Sequence, residues 1–95
     1  MAVESNVNMY YEELVQDMAI RAKENLDDGN YGDESECINQ AIDDGLMYYV
    51  DQAYVVAHAL VNGFIEWGKD PIWDEIYEML YDDVADDLND LKNKE

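Results

Sequence analysis

The final third of the sequence repeats apolar side chains at steps of three and four residues, the period of an amphipathic α-helix. This spacing places the repeated side chains on one face of a helix that runs from about residue 72 to residue 91. The apolar positions are Trp73, Ile76, Tyr77, Leu80, Val84, Leu88 and Leu91. Asp70 is expected to cap this helix and Pro71 to occupy its first turn, because proline lacks the amide hydrogen that a first turn leaves unbonded.

Two earlier segments have the same period. The first runs from about Asn8 to Gly29, where glycine is expected to end the helix. The second begins after Asp33 or Ser35, either of which can cap it. It carries inward-facing apolar residues, and a break is expected at Gly45. These apolar residues are Ile38, Ala41, Ile42 and Leu46.

The segment from residue 47 to residue 65 is apolar on nearly all sides, so a helix there must be covered over most of its surface. Two interpretations remain open: a central core helix, or a helix that forms a homodimer interface. In the second case, the expected interface residues are Tyr54, Val55, His58, Val61 and Phe64. A strand is less suitable because the run is long and has no turn residue before Gly63.

The chain lacks an alternating strand pattern, an internal repeat and a linker. With 95 residues, of which 48% are apolar, it has room for one packed core. The sequence therefore predicts a single all-α domain over residues 1–95 with four or five helices. Residues 1–7 and 92–95 are expected to fray.

The charge balance excludes several classes of partner. The chain has 24 Asp plus Glu against five Lys plus Arg, a formal net charge of −19. Bare nucleic acid and anionic membrane are unsuitable partners for such a surface. Because no apolar run approaches the ~20 residues of a membrane span and no export signal opens the chain, we expect a soluble cytoplasmic protein.

Few residues are suited to catalysis. The chain has no Thr, two Ser, one His and one Cys, so nucleophile and base sets have few possible members. His58 lies in an apolar run and is expected to be a core or interface histidine with a nearby hydrogen-bond partner. Cys37 is expected to be a small buried apolar group. We therefore predict no catalytic residues, no metal site and no cofactor, and a protein that is not an enzyme.

The acidic residues of the last helix form a regular array. Five carboxylates recur every four residues and share one stripe, flanked by three more. The stripe consists of Asp74, Glu78, Asp82, Asp86 and Asp90, and the flanking residues are Glu75, Asp83 and Asp87. At 1.5 Å rise per residue the stripe is ~24 Å long, so eight carboxylates give about one per 3 Å. This resembles the ~3.4 Å between charges along one DNA strand.

This array opposes folding, since four like-charge pairs at four-residue spacing cost on the order of 1–2 kcal/mol. A second set of acids lies in the first half of the chain: Glu12, Glu13, Asp17, Asp43, Asp44 and Asp51. Three hypotheses account for the acidity. They are a solvated surface without a specific partner, including halophilic adaptation; an acidic adaptor that binds a basic protein; and a mimic of the DNA phosphate backbone.

Three stretches resemble the Ocr-type antirestriction proteins of bacteriophages, in the same order along the chain. The opening stretch has YEEL at residues 11–14 and KEN at 23–25. The middle stretch has QAI at 40–42, YYVD at 48–51 and VVAHALVNG at 55–63. The closing stretch has IYEML at 76–80, DD at 82–83 and DDLN at 86–89.

The resemblance implies a phage-encoded homodimer that imitates bent double-stranded DNA in the host bacterial cytoplasm. Such a protein would occupy the DNA-binding groove of a type I restriction–modification enzyme and thereby evade host defence. The chain departs from the family pattern in two places: it has no long acidic tail after Leu91, and the connection that leads into the last helix is short, residues 67–70. A smaller mimic would also suit another target, so an anti-CRISPR protein that blocks DNA entry to a CRISPR effector is the alternative.

Overall fold

Four α-helices make up the fold of the computed structural model, which describes residues 2–70 and 72–94, with side chains from Asn6 onward. The helices are α1 (Ala2–Asp28), α2 (Glu34–Gly45), α3 (Tyr49–Val61) and α4 (Trp73–Asn93). No strand occurs in these residues. The predicted all-α class is confirmed, with the smaller of the two helix numbers expected.

The longest helix, α1, lies at the centre and packs against the other three. Its buried side chains include Tyr11, Val15 and Met18, which meet apolar residues of α2, α3 and α4 in one cluster. Near the start of α1, Tyr11 contacts Asp83. Farther along α1, Gln16 and Ile20 share a surface groove with the later α4 residues Asp87, Asp90 and Leu91. Residue numbers therefore rise together along both helices, so α1 and α4 run side by side in the same direction.

The first helix begins earlier than the spacing predicted, at Ala2 rather than near Asn8. Val7 is buried one turn before Tyr11 and extends the apolar face of α1, and Asn8 is held by contacts with α3. These tertiary contacts stabilise a turn that has little apolar periodicity of its own. The helix ends before Gly29, whose φ of +68° suits glycine, as predicted. The fraying of residues 1–7 and 92–95 stays a prediction.

The second helix matches its predicted start. Asp33 is its N-cap and accepts a hydrogen bond from the Glu36 amide at 2.8 Å. The helix ends at Gly45, where a side chain would clash: a Cβ there would lie 2.6 Å from Met18 Cε. Glycine at this position therefore permits the close approach of α2 to α1.

The third helix is shorter than predicted and lies at the edge of the fold. Only Val55 and Ala59 of α3 are buried, because α1 occupies the centre and covers α3 on one side. The interpretation of this segment as a central core helix is therefore wrong. Gly63, with φ +78°, follows the helix, and the Phe64 amide bonds to the Ala59 carbonyl.

The fourth helix begins at Trp73 with Ile72 as its N-cap and no side-chain cap, so the prediction of Asp70 as the cap is wrong. The Ile76 amide donates to the Ile72 carbonyl, and this bond opens the first turn two residues after Asp70. Pro71 lies outside the described residues. The predicted apolar face is confirmed for four residues that are fully buried, whereas Trp73 is exposed. The four are Ile76, Leu80, Val84 and Leu88. Among the described helices, none has the length and apolar character that crossing a membrane requires.

Candidate partner-binding surface

Five carboxylates form a continuous outward stripe on α4, which we call the acidic band. All five side chains are exposed, and none accepts a hydrogen bond or forms an ion pair with any other residue that the structure describes. The band consists of Asp74, Glu78, Asp82, Asp86 and Asp90. The helix holds these charges at a fixed spacing, so a partner meets a preorganised array.

The ion pairs of the described residues lie elsewhere. Lys23 pairs with Asp27, Lys69 with Glu66, and Lys92 with Glu34 at 3.2 Å. Arg21 lies 3.8 Å from Asp44. None of these acids belongs to the acidic band, so these ion pairs leave the band unneutralised.

The flanking acids connect the band to α1. Glu75 is exposed, whereas Asp83 and Asp87 are half-buried toward α1. Burial raises the pKa of Asp87, and the nearby charges of Asp90, Asp83, Asp86 and Glu12 raise it further. Glu12 comes from α1, so the negative field extends across both helices.

An open groove of about 460 Å³ runs beside the band between α1, the end of α3 and α4. We call it the acidic groove, because four acids line it: Glu12, Asp83, Asp86 and Asp87. His58, Asn62 and Phe64 form the side that comes from α3 and the residues after it. The groove has room for long basic side chains to enter between the helices.

The acids predicted in the first half of the chain are divided among different places. Glu12 joins the acidic groove, whereas Glu13 and Asp17 are exposed elsewhere on α1. Two of the remaining acids accept hydrogen bonds from neighbouring helices: Asp43 from Tyr77 and Asp51 from Tyr10. Asp44 accepts from Gln40 of its own helix. They do not make one continuous second surface, because they lie on three helices that face different neighbours.

Tyrosines that were not among the predicted site residues hold three of the predicted acids across helix contacts. Tyr11 Oη donates to Asp83 Oδ2 at 2.5 Å, Tyr10 Oη to Asp51 Oδ1 at 2.6 Å, and Tyr77 Oη to Asp43 Oδ1 at 2.7 Å. The only sequence signal was compositional: eight tyrosines in a chain with five basic residues.

The same contacts raise the pKa of these hydroxyl groups. Burial and the Asp43 hydrogen bond raise the pKa of Tyr77 to about 12, and burial and the Asp83 hydrogen bond raise the pKa of Tyr11 further. The hydrogen bond to Asp51 raises the pKa of Tyr10. These hydroxyls are therefore protonated donors throughout the neutral range.

The single histidine is part of the helix packing. His58 stacks on Tyr11 with ring centroids 3.6 Å apart, and its Nδ1 lies 2.9 Å from Asn8 Oδ1. Burial lowers its pKa, against the opposing charges of Asp83 and Glu12. The predicted hydrogen-bond partner is confirmed, and so is the burial of Cys37. No group of three or more His, Cys, Asp or Glu side chains within the described residues is arranged to hold a metal ion.

The residues predicted for a dimer interface differ in their availability. Val55 has no exposed surface and belongs to the core, so it cannot contact a second chain in this fold. Tyr54 stacks on Tyr10. Like Tyr54, His58 and Val61 are partly exposed, and Phe64 is 59% exposed. The outward side of α3 also presents three apolar residues absent from the predicted set: Val50, Ala53 and Ala57.

No family model, curated protein sequence or solved structure is significantly similar to this chain. The resemblance to Ocr-type proteins therefore stays a prediction.

Proposed function

We propose that this protein is a non-enzymatic inhibitor that mimics DNA and occupies the duplex-binding groove of a bacterial defence enzyme. The observation that carries the proposal is the acidic band, whose five exposed carboxylates have no cation to neutralise them among the described residues. A surface that serves solubility alone is better made with interspersed lysines. The band instead retains repulsion between neighbours that costs about 1–2 kcal/mol.

The charge density of the whole molecule supports this proposal. A formal net charge of −19 along a longest dimension of 41 Å is about one negative charge per 2 Å, against about one per 1.7 Å along duplex DNA. A protein channel that neutralises phosphates with Lys and Arg would meet a similar field here. Long-range attraction should speed the encounter, and salt should weaken the complex.

The target proposed is a type I restriction–modification enzyme, and the inhibitor competes with DNA without chemical turnover. A binding assay tests this proposal with a purified type I enzyme and a fluorescent duplex. The unmodified chain should displace the duplex, and the displacement should weaken as salt rises. A CRISPR effector assayed in parallel tests the alternative target. An acidic adaptor would bind while leaving the enzyme on its DNA, which would contradict mimicry.

The variant Asp82→Asn/Asp86→Asn/Asp90→Asn removes three charges from the acidic band. Single, double and triple changes should weaken displacement in steps, because mimicry spreads the binding free energy over many charges. The matched control is Asp28→Asn/Glu66→Gln/Asp70→Asn, which makes the same change in net charge at exposed positions outside the band. Equal losses in both triple variants would show that total charge matters and that the band has no special role.

We further propose that the protein is a homodimer through the outward side of α3. Exposed apolar residues collect there, and Asp51 is the only acidic residue between residues 45 and 65. Two chains with a net charge of −19 each repel one another, so contact is least costly where acids are fewest. The revised interface comprises Val50, Ala53, Tyr54, Ala57, Val61 and Phe64. It omits the buried Val55, and it omits His58, whose ring stacks on Tyr11 of α1.

A further inference from the structure

The three tyrosine–carboxylate contacts join pairs of helices without bringing a positive charge to the acid, which distinguishes them from the ion pairs. Tyr10 of α1 contacts Asp51 of α3, Tyr11 of α1 contacts Asp83 of α4, and Tyr77 of α4 contacts Asp43 of α2. A lysine or arginine in place of tyrosine would form a similar bridge but would cancel the negative charge of the acid. A phenol hydroxyl is neutral, so the carboxylate keeps its full charge while its orientation is restrained.

Tyr11 has the strongest structural restraint of the three. It is 3% exposed, its ring lies flat on His58 with 5° between the planes, and its hydroxyl reaches Asp83 in the acidic groove. His58 is in turn within hydrogen-bond distance of Asn8. The ring therefore has little freedom to move, and the carboxylate of Asp83 is anchored to the core of the fold.

We propose that Tyr10, Tyr11 and Tyr77 are positioning residues that fix the carboxylates of Asp51, Asp83 and Asp43 for partner binding without neutralising them. This inference rests on the proposed function and extends the contacted surface beyond the acidic band, to Asp83 in the acidic groove and to Asp43 and Asp51, which lie apart from it on α2 and α3. A binding group held in one orientation loses less conformational entropy when the complex forms. The tyrosines thus contribute to affinity by restraining the carboxylates that the partner binds, and they carry no charge of their own.

Substitution by phenylalanine removes the hydroxyl and keeps the ring, so the core packing and the stack on His58 remain. The variants Tyr10→Phe, Tyr11→Phe and Tyr77→Phe leave the net charge unchanged. Tyr81→Phe is the matched control, because Tyr81 also joins α4 to α2 but donates to the uncharged Ser35 Oγ at 3.0 Å. Thermal melts identify any variant that loses its fold.

The first measurement needs no partner. Three-bond NMR couplings report whether the χ1 angle of Asp83 occupies one rotamer or averages over several. We expect one rotamer in the unmodified chain, averaging in Tyr11→Phe, and no change in Tyr81→Phe. An Asp83 rotamer that stays fixed in Tyr11→Phe would overturn the positioning role, whatever the target proves to be.

The second measurement is displacement of the fluorescent duplex from the purified type I enzyme at several salt concentrations. Each of the three variants should bind about three- to tenfold more weakly with the same salt dependence, because no charge has been removed. Asp83→Asn should weaken binding and also reduce the salt slope. Tyr81→Phe should bind like the unmodified chain.

The two proposals fail in different ways. If the unmodified chain does not displace the duplex, the proposed target is wrong, and the rotamer measurement still decides whether Tyr11 positions Asp83. If the unmodified chain displaces the duplex and all three phenylalanine variants do so equally well, the tyrosines have no positioning role in binding, and the proposed mimicry stands.

Discussion

Tyr11 and His58 lie face to face between α1 and α3, with ring centroids 3.6 Å apart and 5° between their planes. Above this pair, the hydroxyl of Tyr11 donates to Asp83 of α4. One buried tyrosine thus joins three helices and connects the apolar core to the acidic groove. The integrity of the fold and the position of a predicted binding carboxylate therefore depend on the same side chain.

The first prediction concerns the pH dependence of stability. Burial lowers the pKa of His58 below its ordinary value of about 6.5, although Asp83 and Glu12 oppose the shift. Above about pH 6.5 the histidine is neutral in both states and its stabilising contribution is complete. Below that pH the unfolded chain takes up a proton that the folded chain resists, so this contribution is lost as pH falls toward the folded pKa.

Denaturant unfolding of the unmodified chain and of His58→Gln at about pH 7 and about pH 5.5 measures this effect. At the lower pH the free energy of unfolding of the unmodified chain should fall relative to that of His58→Gln. The fall should be less than the ~1.4 kcal/mol per pH unit that uptake of one whole proton on unfolding would cause. A constant difference between the two proteins would mean that His58 titrates normally in the fold.

The second prediction is that Asp87→Asn stabilises the fold. Burial, followed by the charges of Asp90, Asp83, Asp86 and Glu12, raises the pKa of Asp87. The protonated form of Asp87 is therefore more favourable in the folded chain than in the unfolded chain. Its stabilising contribution is complete below the unfolded pKa and is lost as pH rises through the folded pKa. At neutral pH the substitution should add roughly 0.4–1 kcal/mol, from two like-charge pairs along the helix.

Thermal melts at low and high salt provide the control for Asp87→Asn, because screening should shrink the gain. The gain should also disappear in acid, where Asp87 is protonated in the unmodified chain. In the displacement assay the same variant should bind more weakly. A variant that gained stability and kept full binding would remove Asp87 from the proposed contact surface.

The third prediction concerns the dimer. Ala57→Glu places a charge on the outward side of α3, where Ala57 is partly exposed. It should yield a folded monomer, as measured by sedimentation together with circular dichroism. Val55→Glu is the contrasting variant, since Val55 is fully buried and its replacement by a charge should unfold the chain. Sedimentation of the unmodified chain as a monomer would contradict the proposed dimer.

The fourth prediction separates mimicry from halophilic adaptation. The fold has one buried apolar cluster, so we expect the chain to be folded at ~50 mM salt and to melt somewhat higher at ~2 M salt, where repulsion between the acids is screened. Circular dichroism during heating measures both. A chain that is unfolded at the lower salt concentration would favour halophilic adaptation instead.

Spacing along the chain determined much of the fold. Ile76, Leu80, Val84 and Leu88 recur at helical steps and are all buried, and the acidic band recurs at the same period and is all exposed. The Asp33 cap and the end of α1 at Gly29 were also predictable. Each of these features depends on residues within a few positions of one another, so local geometry is sufficient to predict it.

Only the tertiary structure decided which helix is central and where each acid lies. The segment that includes α3 is the most apolar of the chain, yet α1 takes the centre because its length lets it contact every other helix. Glu12 joins α4, whereas Asp43 and Asp51 face tyrosines far away in sequence. Periodicity specifies the face of a helix on which a side chain lies. The element that packs against that face depends on contacts between residues distant in the chain, and no local pattern contains them.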